Sequence, residues 1–332
     1  MKRAFSHLHL KPEKTCAVLR YGGFGDALQA ISVLPELKRQ GYHITFYCVP
    51  AAWEVIKHDP HIDAVVLHDE DQIPNAMLGA FWAYTASKYD RFINLSESVE
   101  RSLLALPGSI PHGWPWAMRH KHMNANYIEF VHDIADVPLP ARVKFYATPE
   151  EHQWALDQKQ IMSGRKLVMW VLSGSSVHKV WPYMDQVIDA LLREDPSLRF
   201  VLVGDELART LQAGWQGVPH VHLRAGQYSI RQTMALAQVC DMVIGPETGV
   251  MNAVSYEPMP KVITLSHSSV QNLSRDWRNC ISLTPPSTSC YPCHQIHFTF
   301  EHCREVEGLA ACQRDIHPQA MIDAVKAHEL VA

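Results

Sequence analysis

No stretch of this chain approaches 18 consecutive apolar residues, and Met1 to Lys14 has no long apolar core. Neither a membrane-spanning helix nor a signal peptide is therefore expected. A surplus of one charge is also missing. The 30 Lys and Arg against 34 Asp and Glu leave a net charge of −4, with a pI near 6.6. Nucleic-acid binding leans on a basic face, so nucleic acid is not an expected partner. There is no short-period repeat and no low-complexity tract. Standard nucleotide signatures fail as well. From Gly23, a G-x-G-x-x-G pattern needs glycine at position 28, where Leu28 stands. The second strand ends Cys48-Val49-Pro50, without the acidic residue that a ribose would need. No Gly-Lys-Ser/Thr sequence offers a Walker loop.

What is present is a chain of 332 residues, 47% apolar and 19% charged, enough for two domains with sizeable cores. Apolar runs at Cys16–Leu19, His43–Val49, Ala64–His68 and Arg91–Asn94 predict strands, with helices starting at Ala27 and Ala51. Thr148 and Pro149 have the N-cap and first-turn chemistry of a helix that ends near Gly164. A second alternation follows. Strands are expected at Lys166–Leu172, Arg199–Val203, Val221–Leu223, Met242–Ile244 and Lys261–Leu265, with helices at Tyr183–Arg193 and Ser229–Cys240. This rhythm predicts an α/β fold of two Rossmann-like domains, 1–163 and 164–316, facing a central cleft. Residues 317–332 read as a closing helix.

Three loops look chemical. Gly22-Gly23-Phe24-Gly25-Asp26 joins the first strand to the first helix and leaves one carboxylate at the helix entrance. Its plain alternative is a tight turn in which Asp26 caps the helix. Ser173-Gly174-Ser175-Ser176 lets a ligand approach the backbone, and Lys179 follows within reach of a phosphate. Glu247-Thr248-Gly249 lies between a strand and a helix, where the N–H groups of Thr248 and Gly249 can cradle an anion. Glu247 and Asn252 can meet hydroxyls of a polar ligand or merely cap. Together the loops suit a diphosphate-linked sugar facing Asp26. A base must take the acceptor's proton and fixed donors must neutralise the leaving diphosphate. Neither cleft loop contains Asp-x-Asp, so the leaving group need not rely on a metal. Asn94, at the end of the fourth strand, and Arg119 and Lys121, after the Pro- and Trp-rich loop at 106–116, are weaker candidates for acceptor contacts; solvated charge is the plain reading of the last two.

Val239-Cys240-Asp241-Met242-Val243-Ile244-Gly245-Pro246-Glu247-Thr248-Gly249-Val250-Met251 resembles the A-D-x-V-I-G-x-D-T-G-x-M segment of glycosyltransferase family 9, the ADP-heptose:lipopolysaccharide heptosyltransferases and relatives. Gly25-Asp26, Lys179-Val180-Trp181-Pro182 and Leu223-Arg224-Ala225-Gly226 are similar to further motifs of that family, in the right order. The resemblance implies a GT-B fold and inverting, metal-independent transfer of a sugar such as heptose. It implies Asp26 as general base, Lys179 as a donor-phosphate contact and Thr248 and Gly249 as diphosphate donors, with Gly22, Gly23, Ser173, Ser175, Gly226, Glu247 and Asn252 around the donor. It also implies a nucleotide-diphosphate sugar, an ADP-sugar first, no cofactor required for catalysis, and a glycan or glycolipid acceptor such as lipopolysaccharide core. Glu247 and Asn252 depart from the family's usual Asp and His. A cytoplasmic location, with peripheral association at the inner face of the membrane, would go with such an acceptor. The alternatives are the same fold acting on a modified DNA base or a protein, and a non-catalytic nucleotide-sugar-binding protein.

Eight cysteines without a secretion signal point to a reducing compartment. Cys290, Cys293, Cys303 and Cys312 are either four thiolate ligands of a structural zinc ion or free or disulfide-linked thiols. In GT-B proteins the closing helix packs back across the first domain, and that is the expectation here.

Overall fold

The computed structural model describes residues 14–69, 72–96, 98–139, 142–162 and 166–328. The expected boundary at 163/164 and Glu97 lie outside them. Strands β1 (Thr15–Leu19), β2 (His43–Cys48), β3 (Ala64–Leu67) and β4 (Arg91–Asn94) form one sheet, in the order β3-β2-β1-β4. Strands β5 (Lys166–Val171), β6 (Leu198–Val203), β7 (Val221–Leu223), β8 (Met242–Pro246), β9 (Lys261–Thr264) and β10 (Cys280–Leu283) form another, in the order β10-β9-β8-β5-β6-β7. Every pairing in both sheets is parallel. The helices of the first half are α1 (Phe24–Ala30), α2 (Leu34–Arg39), α3 (Pro50–Ile56), α4 (Leu78–Ala86), α5 (Trp116–Met123), α6 (Tyr127–Ala135) and α7 (Pro149–Ile161). Those of the second are α8 (Met184–Glu194), α9 (Ile230–Val239), α10 (Gly249–Val254), α11 (Ala311–Asp315) and α12 (Pro318–Ala327).

The central strands show why they sit inside. Val168, Met169, Trp170 and Val171 are all buried, as are Val243 and Ile244. A parallel strand covered by helices on both faces needs an unbroken apolar run. Each sheet reverses its winding once, between β1 and β4 and between β5 and β8. Ligands of such sheets bind outside the carboxyl ends of the strands at that reversal. The loops after β1, β5 and β8 are the three that stood out in the sequence.

The two halves are tied by buried polar groups. The Arg231 guanidinium, on α9, meets Glu151 at 2.6 Å and the carbonyls of Val55 and Tyr146 at 2.7 and 2.8 Å. Asn272 donates to the carbonyls of Met123 and Ala125, each at 2.7 Å. The closing helix corrects an expectation. Ile316, Met321, Ala324 and Val325 pack into the core of the second sheet with Val187, Ile188 and Leu191 of α8. Trp181 fixes the approach by donating to the Ile316 carbonyl at 3.0 Å. The helix therefore covers the second half, not the first, because its apolar stripe has a matching face there.

Candidate functional site

The site is built where two helix starts nearly touch. A Cβ placed on Gly249 would lie 2.8 Å from Cβ of Phe24 and 3.2 Å from N of Gly25. One on Gly25 would meet the Asn252 amide at 2.8 Å. Only glycine at both positions lets the N-termini of α1 and α10 come so close. The first N–H groups of a helix have no intrahelical acceptor and carry partial positive charge.

Asp26 stands at the third position of α1, and Gly23 is the N-cap. Its Oδ2 accepts from Gly23 N at 2.9 Å, so the capping reading is part of its role. Its Oδ1 is 3.1 Å from the Arg20 guanidinium, and its side chain stays 25% exposed. Gly22 has φ +130, and a Cβ there would lie 3.1 Å from Asp26 Oδ2. Gly22 and Gly23 thus form the floor under this carboxylate.

Arg20 and Glu100 belong to the same cluster, although neither was singled out from sequence. Arg20 is only 2% exposed and also holds Glu100 at 2.8 Å. Burial raises the Glu100 carboxyl, and the nearby Asp26 charge raises it further, against the pull of Arg20. A buried arginine at the end of an apolar strand needs carboxylates, and that was the available signal. Glu100 lies in an irregular stretch with no periodicity to mark it.

Across the gap, Lys179 is 9% exposed. Burial lowers its ammonium, and the fields of Glu247 and Asp26 oppose this. No hydrogen bond or ion pair holds it among the described residues. Its stem lies over Gly174, where a Cβ would meet Cδ of Lys179 at 2.6 Å and the Thr248 methyl at 3.2 Å. Thr248 caps α10 by accepting from Met251 N. Lys179, Thr248 and Gly249 are therefore brought together, with Asp26 near enough to act on the ammonium.

Glu247 and Asn252 are engaged within the protein. Glu247 Oε1 accepts from Ser266 N at 2.6 Å and Ser268 N at 3.3 Å, and Oε2 is 2.6 Å from His267 Nδ1. Burial pushes this carboxyl up, but His267, Lys179 and Ser266 N together hold it low. The line continues to His178, whose Nε2 lies 3.1 Å from His267 Nδ1. Asn252 accepts from Gln29 at 3.1 Å and donates to the Thr248 carbonyl at 3.1 Å. Both side chains shape the cradle, and Asn252 joins the halves through Gln29. Ser173 is half-buried and Ser175 exposed on the β5 loop. Gly226, with φ +69, packs against Glu206 and Arg209.

The acceptor candidates separate. Arg119 is buried, and its guanidinium donates to the carbonyls of Trp114 and Cys293, the latter at 2.9 Å. The expected acceptor contact is corrected: a guanidinium clamped by carbonyls fastens α5 to the Cys-rich segment. Lys121 is exposed. Asn94 Oδ1 accepts from Ser96 N at 3.0 Å and organises its own turn.

All eight cysteines are free thiols, so disulfides are not formed. Burial raises the thiols of Cys293 to about 12 and Cys303 to about 11, and each feels the field of Cys290. Burial also raises Cys312, with Cys293, Cys303 and Cys290 adding to it. The four thiols feel one another's fields. Soft donors in this number suit a tetrahedral ion, yet among the described residues no group of three or more His, Cys, Asp or Glu is arranged to hold a metal. Also among the described residues, no helix is long and apolar enough to cross a membrane.

Comparison with solved structures places this architecture. The glycosyl transferase family 9 from Veillonella parvula DSM 2008 matches with a TM-score of 0.66 at 15% identity, over 96% of this chain and 97% of that one. Escherichia coli ADP-heptose lps heptosyltransferase II matches with a TM-score of 0.62 at 16% identity, over 95% and 98%. The iron-containing dodecameric glycosyltransferase TibC from enterotoxigenic E. coli H10407 gives 0.60 at 13% identity, over 97% and 77%. At such identities the likeness is one of fold, the GT-B arrangement of two Rossmann-like sheets. A search of curated protein sequences finds no match. The model described as glycosyltransferase family 9 (heptosyltransferase) matches residues 81–254, more than half of the chain, and this protein belongs to that family.

Proposed function

We propose that this glycosyltransferase moves a sugar from a nucleotide-diphosphate donor to an acceptor hydroxyl, with inversion and without a metal on the leaving group. The observation that carries the reading is the meeting of two helix N-termini beside Lys179, with Asp26 in the first turn of one of them. In the proposed step, Asp26 takes the proton of the acceptor hydroxyl as its oxygen attacks C1 of the sugar. The C1–O bond to the diphosphate breaks, and the nucleoside diphosphate leaves. Lys179 and the N–H groups of Thr248 and Gly249 compensate the charge that develops on it. Arg20 holds Asp26 in place, and Glu100 is its counterweight. The similar folds of an ADP-heptose lps heptosyltransferase and of TibC in complex with ADP-D-β-D-heptose favour an ADP-heptose donor. A glycan of the cell envelope such as lipopolysaccharide core, reached at the inner face of the membrane, is the acceptor this reading favours.

The donor class is tested by thermal shift with ADP-, UDP-, GDP- and CDP-sugars. A ligand at 100 times its Kd adds about 2.7 kcal/mol of stability. The reading expects an ADP-sugar to raise Tm most, and a flat response to all four would overturn it. The anomeric configuration of the product, read by NMR, tests inversion.

A further inference from the structure

A second concavity, of about 530 Å³, opens at the seam between the halves. None of Asp26, Lys179, Glu247 or Thr248 lines it. Its walls come from the start of α6 in the first half and from the segment flanking β10 in the second. Three guanidiniums line it, those of Arg142, Arg275 and Arg278. Glu129 and Asp276 line it as well and compensate Arg275, at 2.6 and 2.7 Å, which leaves Arg142 and Arg278 as the surplus positive charge. Arg142 and Arg278 are exposed and have no side-chain partner among the described residues. The Tyr256 hydroxyl also lines the pocket and makes no hydrogen bond among those residues. It lies in the fields of Arg142, Arg275 and Asp276. Ile128 and Leu139 supply an apolar wall.

Like charges gathered without partners in a concavity repel one another, and an anion relieves that cost. The planar fork of arginine matches phosphate oxygens bidentately. A phenol hydroxyl beside it adds a neutral donor, and the apolar wall accepts the body of a ligand. We propose that this pocket is a second anion site, separate from the donor cleft, which takes a phosphate-bearing ligand through Arg142, Arg278 and Tyr256. Such a phosphate belongs either to a small soluble molecule or to a lipid headgroup. The helix that lines it also carries Tyr127, whose hydroxyl is 3.0 Å from that of Ser268.

The test uses the full chain and inorganic pyrophosphate as the probe in titration calorimetry. Arg142→Ala/Arg278→Ala should weaken binding at this site about tenfold or more, with Tm not lowered, since neither side chain has a partner to lose and their mutual repulsion goes with them. Lys179→Ala should leave this site intact. Unchanged affinity in the double variant overturns the proposal, as does loss of all pyrophosphate binding with Lys179→Ala. Co-sedimentation with phosphatidylcholine vesicles, with and without phosphatidic acid, separates the two sources. Sedimentation that needs phosphatidic acid and both arginines identifies a headgroup, and pyrophosphate binding without sedimentation identifies a soluble ligand. Binding of neither probe overturns the site.

Discussion

Single residues decide whether the cleft can work at neutral pH. His178 is buried between His267, Lys179 and His297, and burial, with those neighbours adding to it, holds its pKa well below the ordinary 6.5. The unfolded chain therefore takes up the proton first as pH falls below 6.5. Stability present above that pH is lost on acidification, by about 1.4 kcal/mol per pH unit for one such group, until the folded pKa is reached. His178→Phe should flatten the fall of Tm between pH 6.5 and 5 by one proton's worth, and an unchanged slope would contradict the burial of a neutral ring. At this scale the sequence was partly legible. Asp26, Lys179 and Thr248 stood out because glycine or small residues flank them after a strand. Arg119 misled, because a basic run looks the same whether it is solvated or clamped by carbonyls. Glu247 and Asn252 looked like ligands because the chain does not reveal that Ser266, Ser268 and Gln29 come back to meet them.

The elements that matter most are short. Helix α10 has six residues, and its use lies in where it starts. Gly249→Ala would put a methyl 2.8 Å from Cβ of Phe24 and push α1 and α10 apart. We expect a loss of about 1–3 kcal/mol together with weaker donor binding. Normal stability and donor affinity in this variant would show that the close approach is not needed. Strand positions were readable from apolar runs such as Lys166–Leu172. Helix α4 was not, since Leu78, Gly79, Ala80, Phe81, Trp82 and Ala83 give no polar face to set a period. β10 was missed because Cys280–Leu283 is only half-buried and lacks a strongly apolar pattern.

For the whole molecule, the two sheets share an apolar core. Cys16 and Val18 of β1 belong to the same buried cluster as Met169, Val243 and Ile263 of the second sheet. Arg231 is the polar fastener through that region. Arg231→Ala leaves Glu151 without its partner and two carbonyls without a donor, which should cost about 3 kcal/mol. The halves should still melt together, as one calorimetric transition at lower Tm. Two separated transitions would contradict a shared core. The sequence announced two βα halves but could not announce this fastening, because the partners of Arg231 lie 80 and more positions away. The closing helix was assigned to the first half from the GT-B resemblance, whereas its apolar stripe meets α8 of the second.

The central claim is that Asp26 takes a proton and does not hold the donor. The most direct measurement is turnover and donor affinity of Asp26→Asn side by side with the parent, using ADP-heptose and following release of ADP. A fall in kcat of roughly 10²–10⁴-fold is expected, with donor Kd nearly unchanged. Parent-like turnover in Asp26→Asn would contradict it.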